Sequence, residues 1–176
     1  EFKITTPNED KKMAEPKPVV GIIVSSQDDW ETLNHSGEIL DRLSVPYETR
    51  MVSLHRTPKR LEEYVTSAKA RGIKVLIAGA GGMSAALPGA AAGLTTLPVL
   101  GVPLEGNLMG GMDALLSIVQ MPGGIPVGTL GVGRAGAANA AFLAISILAL
   151  SDDDIDQRLV EWRAAMTARQ PETPES

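Results

Sequence analysis

The chain has 176 residues and a mass of 18.5 kDa, enough for one domain and too short for two full ones. A hydrophobic share of 44% excludes a largely disordered protein, and the absence of cysteine excludes disulfides, a thiol nucleophile and any metal centre built on Cys. Two histidines, a net charge of -5 and 3% aromatics argue against a His-rich metal site and against a nucleic-acid-binding surface.

Residues 1–18 are charged and carry prolines, with no apolar core for a signal peptide, and are expected to be disordered. Met13 is a candidate native start within them. Val19–Val24 is continuously apolar, as a strand covered on both faces should be. Ser25-Ser26-Gln27-Asp28-Asp29 then offers helix N-caps before a periodic segment with Leu33, Leu40 and Leu43. Tyr47–Ser53 is a second strand. Pro58 suits the first position of a helix bearing Leu61, Val65 and Ala68, closed by Gly72. Lys74–Ala80 is a third strand.

The second half repeats the theme with smaller residues. A helix over Ala85–Gly93, a strand Val99–Val102, a helix Met112–Gln120 and a strand Gly128–Val132 are expected. A helix at Ala137–Leu150 follows, apolar nearly all round, and Ser151 with Asp154 resembles a capping box ahead of a last helix, Ile155–Arg169. Residues 170–176 have the composition of a disordered tail, leaving 19–169 as a single domain. Alternation of strands and helices predicts a three-layer α/β fold: about five parallel strands in flavodoxin-like order, helices on both faces, and a C-terminal helix.

Of 18 glycines, 15 fall between Gly79 and Gly136, and between Val75 and Gly133 there is no Lys or Arg and the only acids are Glu105 and Asp113. Gly and Pro interrupt it too often for a membrane span, so it reads as the buried centre of a soluble, cytoplasmic protein. The all-round apolar helix suggests burial against other copies, hence a homo-oligomer.

In such a sheet, ligands bind beyond the carboxyl ends of the strands where strand order reverses. The loops there are Ser25–Trp30, Ser53–Pro58 and Gly79–Ser84, holding Ser26, Asp29, Ser53, His55, Arg56 and a glycine-rich turn. A histidine carries protons near neutral pH, and an arginine forks onto phosphate or carboxylate. Spacing alone leaves open the alternative of a His packed on a helix end with Arg56 solvated. His35, mid-helix among polar neighbours, belongs to the surface. Gly79-Ala80-Gly81-Gly82 lacks both the GxGxxG spacing and the Lys of a P-loop.

SSQDDW, SLHRTP, AGAGG, LPVLGVP and the long SIVQMPGGIPVGTLGVGRAGAANAA resemble the PurE family, N5-carboxyaminoimidazole ribonucleotide mutase of purine biosynthesis. The resemblance runs from about Val19 to Trp162. It implies a cofactor-free enzyme, a homo-octamer with sites at subunit junctions, that moves a carboxylate from the exocyclic nitrogen of an aminoimidazole ribonucleotide to C4. It further implies that Ser26 and Asp29 bind ligand, that Ser53 and Arg56 lie on the phosphate side, and that His55 is the essential histidine. Ala80 and Gly81 match the turn that holds the base and carboxylate.

Departures cluster at the site. Ser25 and Asp28 replace the family's usual Gly and second Ser. An inward Asp28 carboxylate about 5 Å from a phosphate would oppose it by roughly 3 kcal/mol per unit charge at an effective dielectric of 20. The alternative is that Asp28 serves the start of the following helix and turns away from the site. Met83–Gly89 is one residue longer than the common Ala-Ala-His-Leu-Pro-Gly turn and lacks its histidine, and the loop Leu104–Met109 is altered. Two other readings therefore accompany the mutase: a carboxylase taking CO2 directly, and a paralogue that keeps the scaffold with altered or lost activity.

Overall fold

A computed structural model of the chain describes residues 16–82, 85–106 and 109–173. The expected disorder of the two ends falls mostly outside them, as do Met83 and Ser84 of the lengthened turn. Five parallel strands form one sheet in the order β2-β1-β3-β4-β5. They are β1 (Val20–Val24), β2 (Tyr47–Met51), β3 (Val75–Gly81), β4 (Val99–Leu104) and β5 (Gly128–Thr129). The helices are α1 (Gln27–Arg42), α2 (Pro58–Arg71), α3 (Leu87–Gly93), α4 (Met112–Val119), α5 (Gly133–Ala149) and α6 (Asp153–Ala168).

Alternating residues of the central strands feed two separate cores. On one face Val20, Ile22, Val75, Ile77 and Val102 pack against α1, α5 and α6. On the other, Ile23, Leu76, Ala78 and Val99 pack against α2, α3 and α4. This gives the expected three layers. Burying both faces explains why β1 and β3 are continuously apolar, whereas edge strand β2 (YETRM) is polar and increasingly exposed. At that edge Arg71 Nη2 donates to Glu48 Oε1 at 2.8 Å, and its guanidinium lies 4.8 Å from the centre of the Tyr64 ring. Burial pushes the Glu48 carboxyl up, but the hydrogen bond from Arg71, the nearby Tyr64 hydroxyl and the charges of Arg71 and Arg50 together outweigh it and hold the group below its ordinary value.

The bounds of α2 are the expected ones, and other boundaries differ where local chemistry decides them. Thr57 precedes Pro58 at the first position of α2, and Gly72 closes that helix with φ of 103°. β5 is only two residues long because Leu130 to Val132 run on without a further strand pairing. The cap of α6 is Asp152, which accepts from the Ile155 N–H at 3.1 Å, rather than Ser151. α5 begins four residues earlier than expected, at Gly133.

The chain itself covers most of α5: α1, α6 and the sheet bury Ala137, Ala140, Ala141, Ala144 and Ile145 completely. Ser36, fully buried on α1, donates its hydroxyl to the Ala137 carbonyl at 2.6 Å, and Arg158 Nε of α6 donates to the Leu43 carbonyl at 2.7 Å. Leu143 on α5 is 40% exposed, and a row of exposed apolar side chains lies on and before α4, where Met109, Met112, Leu116 and Val119 recur three or four residues apart and are 46–64% exposed.

Candidate active site

Two adjoining cavities open at the carboxyl edge of the sheet, where β1 and β3 lead to opposite sides and strand order reverses. The larger, about 520 Å3, is walled by Asp29 from α1, by Ser53, His55 and Arg56 from the loop after β2, and by Ala80 and Gly81 at the end of β3. Six of the seven expected site residues thus share one cavity. Ser26 does not line it; its hydroxyl caps α1 by accepting the Asp29 N–H at 3.2 Å, and it lines the smaller cavity of about 310 Å3. Ser25, Ser53 and Arg56 border both.

The loop that carries His55 is braced from within. Ser53 N–H donates to Thr57 Oγ1 at 2.8 Å, and Arg56 N–H donates to Ser53 Oγ at 3.2 Å, forming a tight turn ahead of Pro58. Arg56 then reaches across to β1, Nη2 donating to the Ser25 carbonyl at 2.8 Å. That bond fixes the guanidinium between the two cavities and leaves its other N–H groups for a ligand. The His55 imidazole is exposed and makes no hydrogen bond among the described residues, in contrast to His35, whose Nδ1 lies 3.0 Å from Glu38 Oε2 on the surface of α1.

Of the two readings of Asp28, the structure fits the one at the helix start. It is exposed on the first turn of α1 and lines neither cavity, so its carboxylate faces solvent at the positive end of the helix. Among wall residues, sequence reasoning did not single out Glu105 as a site group. β4 pairs with β3 so that Leu104 lies opposite Gly81, and the next residue, Glu105, arrives at the cavity beside the glycine turn. Its side chain lies against Gly133, the first residue of α5, where a Cβ would come within 2.8 Å of Glu105 Oε1. Gly133, with φ of 70°, therefore makes room for a carboxylate at the positive end of a 17-residue helix. The strand order was the available signal, since it brings the end of β4 next to that of β3.

One imidazole, one guanidinium, two carboxylates and a bare glycine turn at the switch point of a flavodoxin-like sheet define an α/β protein built to bind a small anionic ligand and move protons on it. The family model described as AIR carboxylase matches residues 19–169, and the chain belongs to that family. It is 56% identical over 155 residues to the N5-carboxyaminoimidazole ribonucleotide mutase of Brucella melitensis, covering 88% of this chain and 95% of that one. The mutase of Bacillus subtilis is 56% identical over 147 residues, covering 84% and 90%. The crystal structure of Treponema denticola PurE superposes with a TM-score of 0.78 at 25% identity, covering 86% of this chain and 93% of that one.

Proposed function

We propose that the chain is an isomerase of purine biosynthesis, moving the carboxylate of N5-carboxyaminoimidazole ribonucleotide to C4. The observation that carries this reading is the placement of an uncommitted His55 in one cavity with the end of β3, within a chain more than half identical to named mutases over nearly its whole length. Ser53 and Arg56 hold the phosphate side, Asp29 the middle of the ligand, and the Ala80–Gly81 turn the base.

The reaction then needs one proton carrier. His55 in its imidazolium form gives a proton to the exocyclic nitrogen, the N–C bond of the carbamate breaks, and CO2 leaves while the nitrogen becomes a neutral amine. CO2 stays against the glycine turn. The electron-rich C4 of the ring attacks it, forming the new C–C bond, and His55 removes the C4 proton as aromaticity returns. The imidazole ends as it began, and no electrons are exchanged with a further reactant.

The same reading includes a homo-octamer in the cytoplasm. Its support is the exposed apolar row of Met109, Met112, Leu116 and Val119, together with Asp113 beneath it, which is 7% exposed with neither carboxylate oxygen hydrogen-bonded among the described residues. A donor on a second copy would satisfy that carboxylate. Light scattering at micromolar concentration tests the assembly, and a single species near 18.5 kDa would refute it.

The activity is tested by supplying purified protein with N5-carboxyaminoimidazole ribonucleotide whose carboxylate is isotopically labelled. The labelled carboxylate is expected at C4 without dilution by unlabelled bicarbonate in the buffer. Full exchange with bicarbonate would favour direct carboxylation, and absence of product would overturn the enzymatic reading.

A further inference from the structure

The smaller cavity has a chemical character of its own. It is bordered by Ser25, Ser26, Ser53, Thr57, Arg56 and Arg60, with Met51 and Val52 as its apolar part, and no carboxylate of the described residues lines it. The larger cavity beside it carries both Asp29 and Glu105. Within the smaller one, the hydroxyls of Ser26 and Ser53 each accept a backbone N–H, from Asp29 and from Arg56 respectively. Each oxygen is thereby fixed in place, and its own hydrogen, with no acceptor among the described residues, is free to be donated.

The two guanidiniums differ. Arg56 is tied to the Ser25 carbonyl. Arg60, on the first turn of α2, has neither a hydrogen bond nor an ion pair among the described residues, although it borders the cavity. An unpaired cation beside a pocket bordered by hydroxyls with hydrogens to donate is a place for a multiply charged anion, and a phosphate monoester is the group of the ligand that fits.

We propose that Arg60 is a second phosphate-binding cation of the site and the residue that separates the ribonucleotide from the unphosphorylated ribonucleoside. This rests on the functional reading above. In that division of labour Arg56, held at the boundary of both cavities, orients the ligand, and Arg60 supplies the charge that retains its phosphate. A second cation on the phosphate side also offsets the repulsion between a dianionic phosphate and the two carboxylates of the larger cavity.

Calorimetric titration of the intact protein and of Arg60→Gln with 5-aminoimidazole ribonucleotide and with its ribonucleoside tests the assignment. The substitution is expected to weaken ribonucleotide binding about 10-fold and to leave ribonucleoside binding within about twofold. Arg60→Lys should recover part of the loss, since it restores the charge without the fork. In turnover, KM should rise with kcat unchanged, and the salt dependence of KM should flatten in Arg60→Gln. Unchanged unfolding temperatures keep misfolding out of the comparison. Equal losses for both ligands, or none for the ribonucleotide, would overturn the role of Arg60 while native turnover left the mutase reading intact. Failure of the native protein to bind the ribonucleotide would overturn both. Phosphate-dependent binding without turnover would overturn the mutase reading and leave the cation's role standing.

Discussion

Replacing Gly136 by alanine would force apart two backbones that now touch. A Cβ on Gly136 would lie 1.6 Å from the Gly131 carbonyl oxygen and 2.5 Å from its carbon. Carbon–oxygen contacts settle near about 3.3 Å, so the first turn of α5 and the segment after β5 must separate by roughly 1.7 Å. Neither neighbour is a flexible side-chain end that can swing away. Overpacking of this kind costs about 3 kcal/mol, the upper end of its usual range, because a helix must move rather than a rotamer. For a chain of this size that is a fall in unfolding temperature of about 6–12 °C. The same movement carries Gly133 away from Glu105 at the cavity wall, so kcat/KM should fall with stability. Gly93→Ala is the control: it is exposed, at the end of α3, with nothing within 4 Å of its missing Cβ. Alanine there should be neutral or stabilising by up to about 1 kcal/mol. Thermal unfolding followed by circular dichroism, with turnover measured on the same samples, makes the comparison. A Gly136→Ala protein melting within 2 °C of the parent would refute the close approach of these backbones.

His55→Asn should lower turnover by about 100- to 10,000-fold while leaving unfolding temperature and assembly unchanged, because its imidazole makes no hydrogen bond among the described residues; steady-state kinetics and light scattering check both halves. Asp28→Ser should leave ribonucleotide affinity within about twofold, since Asp28 lines neither cavity, and should cost about 0.3–1 kcal/mol of stability through the lost charge at the start of α1. Calorimetry showing markedly tighter binding would contradict its outward placement. Glu48→Gln should lower the unfolding temperature at pH 7 by up to about 3 °C. The Glu48 carboxyl is held below its ordinary value, so its contribution is present above the unfolded pKa and is lost as pH falls through the folded one. The two proteins should therefore converge in acid, and a gap that persists or widens below pH 3 would count against the Arg71 pair as its source.

Strands buried on both faces announce themselves through composition, which is why β1 and β3 could be read from VVGIIV and KVLIAGA. β4 is expected to end at Val102, yet Pro103 and Leu104 continue the pairing with Ala80 and Gly81. The start of α5 was hidden by Gly133 and Gly136, poor helix formers whose presence is explained by a neighbouring carboxylate and a neighbouring backbone. Local patterns carry no record of such distant neighbours. The same limit applies at the site. The loop with His55 and Arg56 stood out because its residues are contiguous. Glu105 and Arg60 enter only once strand register and helix phase bring them to the cavities, and Asp28 leaves for the same reason.

The bond from Ser36 to the Ala137 carbonyl joins residues 101 positions apart, and that from Arg158 to Leu43 spans 115. The first helix thus finds its main packing partner near the end of the chain. During synthesis β1, α1 and β2 emerge long before α5, and Leu33 and Leu40 have no α5 surface to cover them until more than three-quarters of the sequence is made. The loops that build both cavities are complete earlier, by Gly106, but the helix on which Asp29 stands is anchored only when α5 docks. Ligand competence therefore arrives late and all at once, and a chain cut short before α5 would present an unclosed apolar face to chaperones rather than a partial enzyme.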